Sequence, residues 1–206
     1  MTTSPQPDGL VDLEMDQPIW ERFFTVYPLV VIGTREKNGN IDLAPKHMAI
    51  PMSWENYFGF VCTPRHATYH NVKREGVFTV SYLRPNQVVL ASLAATPRCG
   101  EEQTKPSLSV LPTFPASKVD GVFISEGYLY LECSLVKIID GFGDNSLITG
   151  KVIAAQVHET ALRAAQEDRD DNEILKHSPL LAYLHPGRFT TIQESYSFPF
   201  HAGFKR

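Results

Sequence analysis

A chain of 206 residues is long enough to bury one sizeable core, and two domains would both be small. Its apolar share of 43% and charged share of 20% are those of an ordinary soluble globular protein. The formal charge of -4 supplies no basic field for nucleic acid, so any anion must be captured by a local cluster.

Residues 1–14 carry neither a charged n-region nor an apolar h-region and read as a flexible N-terminal arm rather than a secretory leader. The longest apolar runs are strand-length, which argues against a membrane span. Asp16 followed by Pro18 is a helix-start signal, and Ile19, Trp20, Phe23 and Phe24 recur at helical spacing, predicting a short helix that ends near Tyr27 and Pro28. Residues 29–34 form an apolar strand. The turn at Lys37, Asn38, Gly39 and Asn40 then predicts a hairpin, because Asn-Gly tolerates positive φ. Residues 41–46 return antiparallel and 57–62 give the third strand. A helix over 66–75 is stopped by Gly76, and a fourth strand covers 77–83.

Residues 88–95 read as helical. The segment 97–120, with four prolines and mixed charges, reads as a surface excursion. Two long strands, 128–140 and 147–157, are joined through Gly141 to Asn145. A polar helix over 161–176 carries an acid-rich run at 167–171. A last strand near 188–193 precedes an aromatic tail, residues 196–206, so that 15–195 make up the folded domain. Strands dominate and follow one another through hairpins, which favours a mainly β, antiparallel barrel with a few short peripheral helices over a βαβ sheet. No G-x-G-x-x-G follows a strand, which argues against a dinucleotide fold.

The stretch from Ile41 to Leu83 concentrates the chemistry. Arg65, Thr68 and Asn71 stand three apart around a predicted helix start. There a guanidinium, a hydroxyl, an amide and free backbone N–H groups suit a phosphate monoester. The same three residues also fit a capped surface helix with a solvated arginine. His47 and Met48 follow Pro45 in a segment of broken strand whose backbone groups could meet the edge of a heterocycle, or could simply expose a histidine. The seven histidines give one spacing of four, His66 and His70, without a nearby carboxylate, and no metal is expected. No G-x-S-x-G elbow nominates a serine nucleophile, and no catalytic acid or base is nominated. Cys62 and Cys133 lie inside strand patterns as inert thiols. Cys99 lies in a polar loop, and the odd, scattered set without C-x-x-C points to a reducing cytoplasm.

Over roughly residues 26–193 the chain resembles the flavin reductase-like family of FMN-binding split β-barrels, which includes flavoredoxin-type proteins. Tyr27-Pro28-Leu29-Val30-Val31-Ile32-Gly33-Thr34 with its Asn38-Gly39 turn looks like the family's opening hairpin. Asp42-Leu43-Ala44-Pro45-Lys46-His47 is similar to its Asn-x-Ala-Pro-x-Ser signature, and Arg65-His66-Ala67-Thr68-Tyr69-His70-Asn71 to its cation and Thr-x-x-Asn helix start. Val119-Asp120-Gly121 leading to Leu131-Glu132-Cys133 resembles the start of its late strand. Gly143-Asp144-Asn145 through Val152 resembles its Gly-Asp-His strand, and Pro179-Leu180 with Gly187-Arg188-Phe189 its closing motifs. Each motif is weak alone, and their common order is what carries the resemblance.

The resemblance implies non-covalent FMN, less often FAD, at a homodimer interface, with NAD(P)H as donor and a small molecule as electron acceptor. It implies phosphate contacts at Arg65, Thr68 and Asn71, and a ring edge along Pro45, Lys46, His47, Met48, Ala49, Ile50 and Met52. Two departures stand out: His47 where the family carries serine, and Asn145 where it carries histidine. The second leaves open a flavin-binding electron carrier without NAD(P)H turnover of its own. A relative that binds another phosphorylated ring, such as pyridoxal phosphate or F420, is the third reading.

Overall fold

The computed structural model describes residues 8–100, 104–163 and 171–203. A 3-10 turn at Ile19–Glu21 leads into strand β1 (Thr25–Pro28), and β2 (Val30–Arg35) and β3 (Ile41–Lys46) form the first hairpin. After β4 (Ala49–Pro51) and β5 (Tyr57–Cys62) come helix α1 (Ala67–Glu75), β6 (Val77–Tyr82) and helix α2 (Val88–Ala94). A small hairpin of β7 (Thr113–Pro115) and β8 (Val122–Ile124) precedes the long hairpin of β9 (Leu129–Phe142) and β10 (Asn145–Val157). Helix α3 (Asp171–His177), β11 (Leu180–His185) and β12 (Arg188–Ile192) complete the order.

Seven strands form one sheet in the order β3-β2-β6-β9-β10-β5-β4, and a second sheet has the order β1-β11-β12. Every pairing among the named strands is antiparallel. The large sheet curls into a half-barrel, so the mainly β split-barrel expectation holds. Its two edge strands, β3 and β4, are consecutive in the chain and joined only through His47 and Met48. Each edge carries a proline, Pro45 in β3 and Pro51 in β4.

The sheet is packed on both faces, which explains why β2 reads as an unbroken apolar run rather than an alternation. Val30 and Ile32 point into a cluster with Phe58, Phe60, Phe78, Val80, Cys133 and Ile148, capped by Tyr69 and Val72 of α1. Val31 points the other way, toward Leu43, Leu83, Ala91, Leu108, Leu111 and Ile124. Two local signals set the elements that place the site. Gly39 takes φ 84 in the β2–β3 turn, and Gly76 takes φ 71 at the end of α1, where its N–H donates to the Val72 carbonyl.

Several expectations need correction or limits. The predicted N-terminal helix is one 3-10 turn followed by a strand. Thr25 to Pro28 pair with β11, and Trp20 and Phe24 stay more than half exposed, so the helical stripe has no core to face. The strand Leu180–His185 was not foreseen. The 97–120 segment is more than a surface excursion, because Leu108 and Leu111 enter the second cluster. In the helix expected over 161–176, residues 164–170 lie outside the described residues. Asp171–His177 is helical, and Glu159–Ala161 is a 3-10 turn. Of the arm, residues 8–14 form no helix or strand and 1–7 lie outside the described residues. In the tail, Tyr196 and Phe198 are exposed and residues 204–206 lie outside them.

Candidate functional site

The end of β3, the start of α1 and the chain leaving α2 enclose a cavity of about 420 Å³. Its wall includes Asp42, Pro45, Lys46, Arg65, Thr68, Arg98 and Lys105. Among the described residues, four cations therefore line the space against a single carboxylate. His66 precedes α1 in extended conformation and its side chain caps nothing, and the first-turn residues Ala67 and Thr68 line the cavity. A helix start with unsatisfied N–H groups and its positive dipole end favours an anion.

Asp42 organises this wall. It is 1% exposed in the middle of an apolar strand, and it accepts hydrogen bonds from Thr68 Oγ1 at 3.1 Å and from Arg98 Nη2 at 3.0 Å. Lys105 Nζ stands 3.1 Å from the same carboxylate and also donates to the Leu43 carbonyl at 3.0 Å and the Ala94 carbonyl at 3.2 Å. Arg98 also pairs with Glu36. The segment after α2 is thus bolted to β3 by charge. His66, beside this cluster, is held below the ordinary histidine pKa by its burial and then by Lys46, Lys105 and Arg65, which favours its neutral form.

The structure divides the residues expected to hold a phosphate. Arg65 and Thr68 line the cavity, and Asn71 does not. Asn71 is 2% exposed, with its Nδ2 donating to Thr34 Oγ1 at 3.0 Å and its Oδ1 accepting from Arg74 at 3.1 Å, so it ties α1 to β2. The one hydroxyl proton of Thr68 is directed to Asp42, so the hydroxyl has no second proton to donate to an anion. The Arg65 guanidinium donates to Asp144 at 3.0 Å, with both side chains about three-quarters exposed.

The ring-edge segment divides as well. Pro45 and Lys46 line the cavity, and Ala49 is fully buried. Met48, Ile50 and Met52 form an exposed apolar row at a spacing of two, as expected of one side of a strand. His47 turns away from the cavity wall into an aromatic cluster, with ring centroids 4.5 Å from Tyr183, 5.6 Å from Tyr27 and 5.7 Å from His185. Its Nε2 and the Nδ1 of His185 are buried without a hydrogen-bond partner. Burial, then His185, then Lys46 hold His47 below its ordinary value of 6.5. The unfolded chain therefore takes up a proton first as the pH falls. The stability that rests on neutral His47 is complete above about pH 6.5 and declines as the pH drops through the lower folded value. Urea midpoints measured from pH 7 to 5 should fall more steeply in the wild type than in His47→Phe, and parallel profiles would contradict this.

Sequence reasoning missed Asp42, Arg98 and Lys105 as cavity residues. The available signal was Asp42 itself, a charge between Ile41 and Leu43 in a core strand, which demands a cationic partner from elsewhere. Among the described residues no group of three or more His, Cys, Asp or Glu is gathered as a metal site requires. Nor is any described helix long and apolar enough to cross a membrane.

Known structures share this architecture. Nitrilotriacetate monooxygenase component B from Bacillus cereus superposes with a TM-score of 0.77 at 16% identity, over 93% of this chain and 100% of that one. Flavoredoxin from Methanosarcina acetivorans gives 0.73 at 19% identity, over 94% and 97%. An FMN-binding protein from Thermus thermophilus, with bound p-hydroxybenzaldehyde, gives 0.67 at 18% identity, over 96% and 99%. At these identities the likeness establishes the fold. Residues 22–192 match the sequence pattern described as the flavin reductase like domain, which spans most of the chain, and the protein therefore belongs to the flavin reductase-like family.

Proposed function

We propose that the protein is an FMN-dependent oxidoreductase that takes electrons from NAD(P)H and delivers them to a free flavin or another small acceptor. The observation that carries this reading is the cationic cavity at the start of α1, set in a flavin reductase-like barrel. The residues present fit the group. Backbone N–H groups at Ala67 and Thr68 and the cations of the wall suit a phosphate, and the exposed row Met48, Ile50 and Met52 suits the apolar face of a ring. FMN is favoured over FAD because a single phosphate matches one helix start. Bound flavin supplies the hydride and electron transfer. The chain's own part is to hold the phosphate by charge, orient the ring along the β3–β4 connection, and shield that connection with the β1-β11-β12 sheet.

The active unit in this reading is a homodimer. Its support is apolar surface left open on one copy: the Met48, Ile50 and Met52 row, and a groove of about 490 Å³ lined by Tyr57, Tyr82, Leu131 and Val152. A cytoplasmic location belongs to the same proposal, in keeping with three free thiols, two of them buried. Asn145 favours one second reading, a flavin-binding electron carrier without NAD(P)H turnover. It sits at the head of the β9–β10 hairpin beside Asp144, the partner of Arg65, where the resembled motif carries histidine.

The deciding measurement is the visible spectrum of the purified protein before and after anaerobic NADPH or NADH. Flavin absorbance that bleaches with either nucleotide supports the reductase. Flavin absorbance that persists supports the carrier, and a protein that neither carries nor takes up FMN overturns both.

A further inference from the structure

We propose that Lys46, and not Arg65, is the principal cation for the flavin phosphate, and that it sets discrimination between phosphorylated and unphosphorylated flavin. This rests on the flavin reading above. The cations of the cavity wall differ in what already holds them. Lys105 directs its ammonium to the Asp42 carboxylate and to two carbonyls, Leu43 and Ala94, so its donors are taken by the wall itself. Arg98 is bound to Asp42 and to Glu36. Arg65 reaches outward to Asp144 and is largely exposed, so water screens its charge and a ligand must compete with the aspartate for it.

Lys46 stands apart from these three. Among the described residues no carboxylate lies within ion-pair distance of it, although it lines the same cavity and is only partly exposed. Its field is felt on several sides of the space. It lowers His66 in front of α1, His47 at the strand break, and the Cys62 thiol that burial otherwise raises. Among the described residues the Asp42 carboxylate of the same wall is already engaged by Thr68, Arg98 and Lys105, so an incoming dianion would be the first anion paired directly with the Lys46 ammonium. A lysine acts there as a compact point charge on a flexible stem, able to follow a phosphate that the Thr68 and Ala67 N–H groups fix in place. Lys46 occupies an unspecified position of the Asn-x-Ala-Pro-x-Ser pattern, so this assignment comes from the chain's own geometry.

The experiment is equilibrium titration of full-length apoprotein with FMN and, separately, with riboflavin, which differs from FMN by the phosphate alone. Wild type, Lys46→Met, Lys46→Arg and Arg65→Met are compared. Lys46→Met is expected to weaken FMN roughly 10- to 100-fold, the range of one lost charge-assisted hydrogen bond, and to leave riboflavin within about twofold. Lys46→Arg should recover most of the FMN affinity, which also separates lost charge from lost folding, and Arg65→Met should weaken FMN less than Lys46→Met does. FMN affinity unchanged in Lys46→Met, or an equal fall for FMN and riboflavin, overturns the assignment while leaving flavin binding intact. A wild type that binds neither flavin overturns the assignment and the flavin reading together.

Discussion

Asp42→Ala is expected to lower the free energy of unfolding by about 3–5 kcal/mol, the range found when one partner of a buried charge cluster is removed. The carboxylate is 1% exposed, and its loss strands the Lys105 ammonium, whose side chain is only 12% exposed. Arg98 retains Glu36, so Lys105 and the Thr68 hydroxyl bear the larger part of the loss. Asp42→Asn keeps an acceptor without the charge and should fall between wild type and alanine. Urea denaturation followed by tryptophan fluorescence and far-UV circular dichroism measures both variants. A loss below about 1 kcal/mol for alanine would mean that the cavity wall stands without its carboxylate. The effect reaches the ligand end of the molecule, because Lys105 also joins the β3 carbonyl of Leu43 to the α2 carbonyl of Ala94.

Glu132→Ala should cost about 2–4 kcal/mol by a different route. This carboxylate is 2% exposed on β9 and gathers the turn after β7. It accepts from Ser117 N at 3.0 Å, Ser117 Oγ at 2.7 Å, Lys118 N at 2.6 Å and Val119 N at 2.9 Å. Three successive backbone N–H groups converging on one anion form a nest. Burial pushes the carboxyl pKa up, but the bonds from Ser117, Lys118 and Val119 outweigh it and leave the group below its ordinary 4.5. A depressed folded value means that Glu132 contributes fully above about pH 4.5 and that its contribution is lost as the pH falls through the folded pKa. The unfolding midpoint of the wild type should therefore drop more sharply below about pH 4.5 than that of Glu132→Gln, which has no proton to gain. Superimposable acid profiles would contradict it.

What was legible in the sequence was local. The Asn38-Gly39 turn, the stop of α1 at Gly76 and the long β9–β10 hairpin were all announced by residues adjacent in the chain. What escaped depended on distant partners. The helical spacing of Ile19, Trp20, Phe23 and Phe24 is genuine, but β1 wins because β11 offers it a ladder, and β11 itself is too short and mixed to declare its strand alone. The candidate site behaved likewise. Arg65 and Thr68 could be nominated from spacing, and Lys46 only through the resemblance, as part of a ring edge. Arg98 and Lys105 arrive through a proline-rich segment whose docking is decided by Asp42, far back in β3. Spacing also gave Asn71 and Thr68 a common helix face without showing that Thr34 and Asp42 already occupy their polar groups.

The prolines at the two rims of the seven-stranded sheet bear on how copies of this protein can meet. Pro45 and Pro51 each lack the N–H that an incoming strand would need, and β4 is only three residues long. Both rims are thereby made poor templates for a ladder running from one molecule into the next, a route that otherwise leads to open-ended fibres. Where side-chain contact between faces is two-fold symmetric it closes after a second copy, whereas a ladder along either rim would not, so the two residues that flank the β3–β4 seam disfavour the open-ended route.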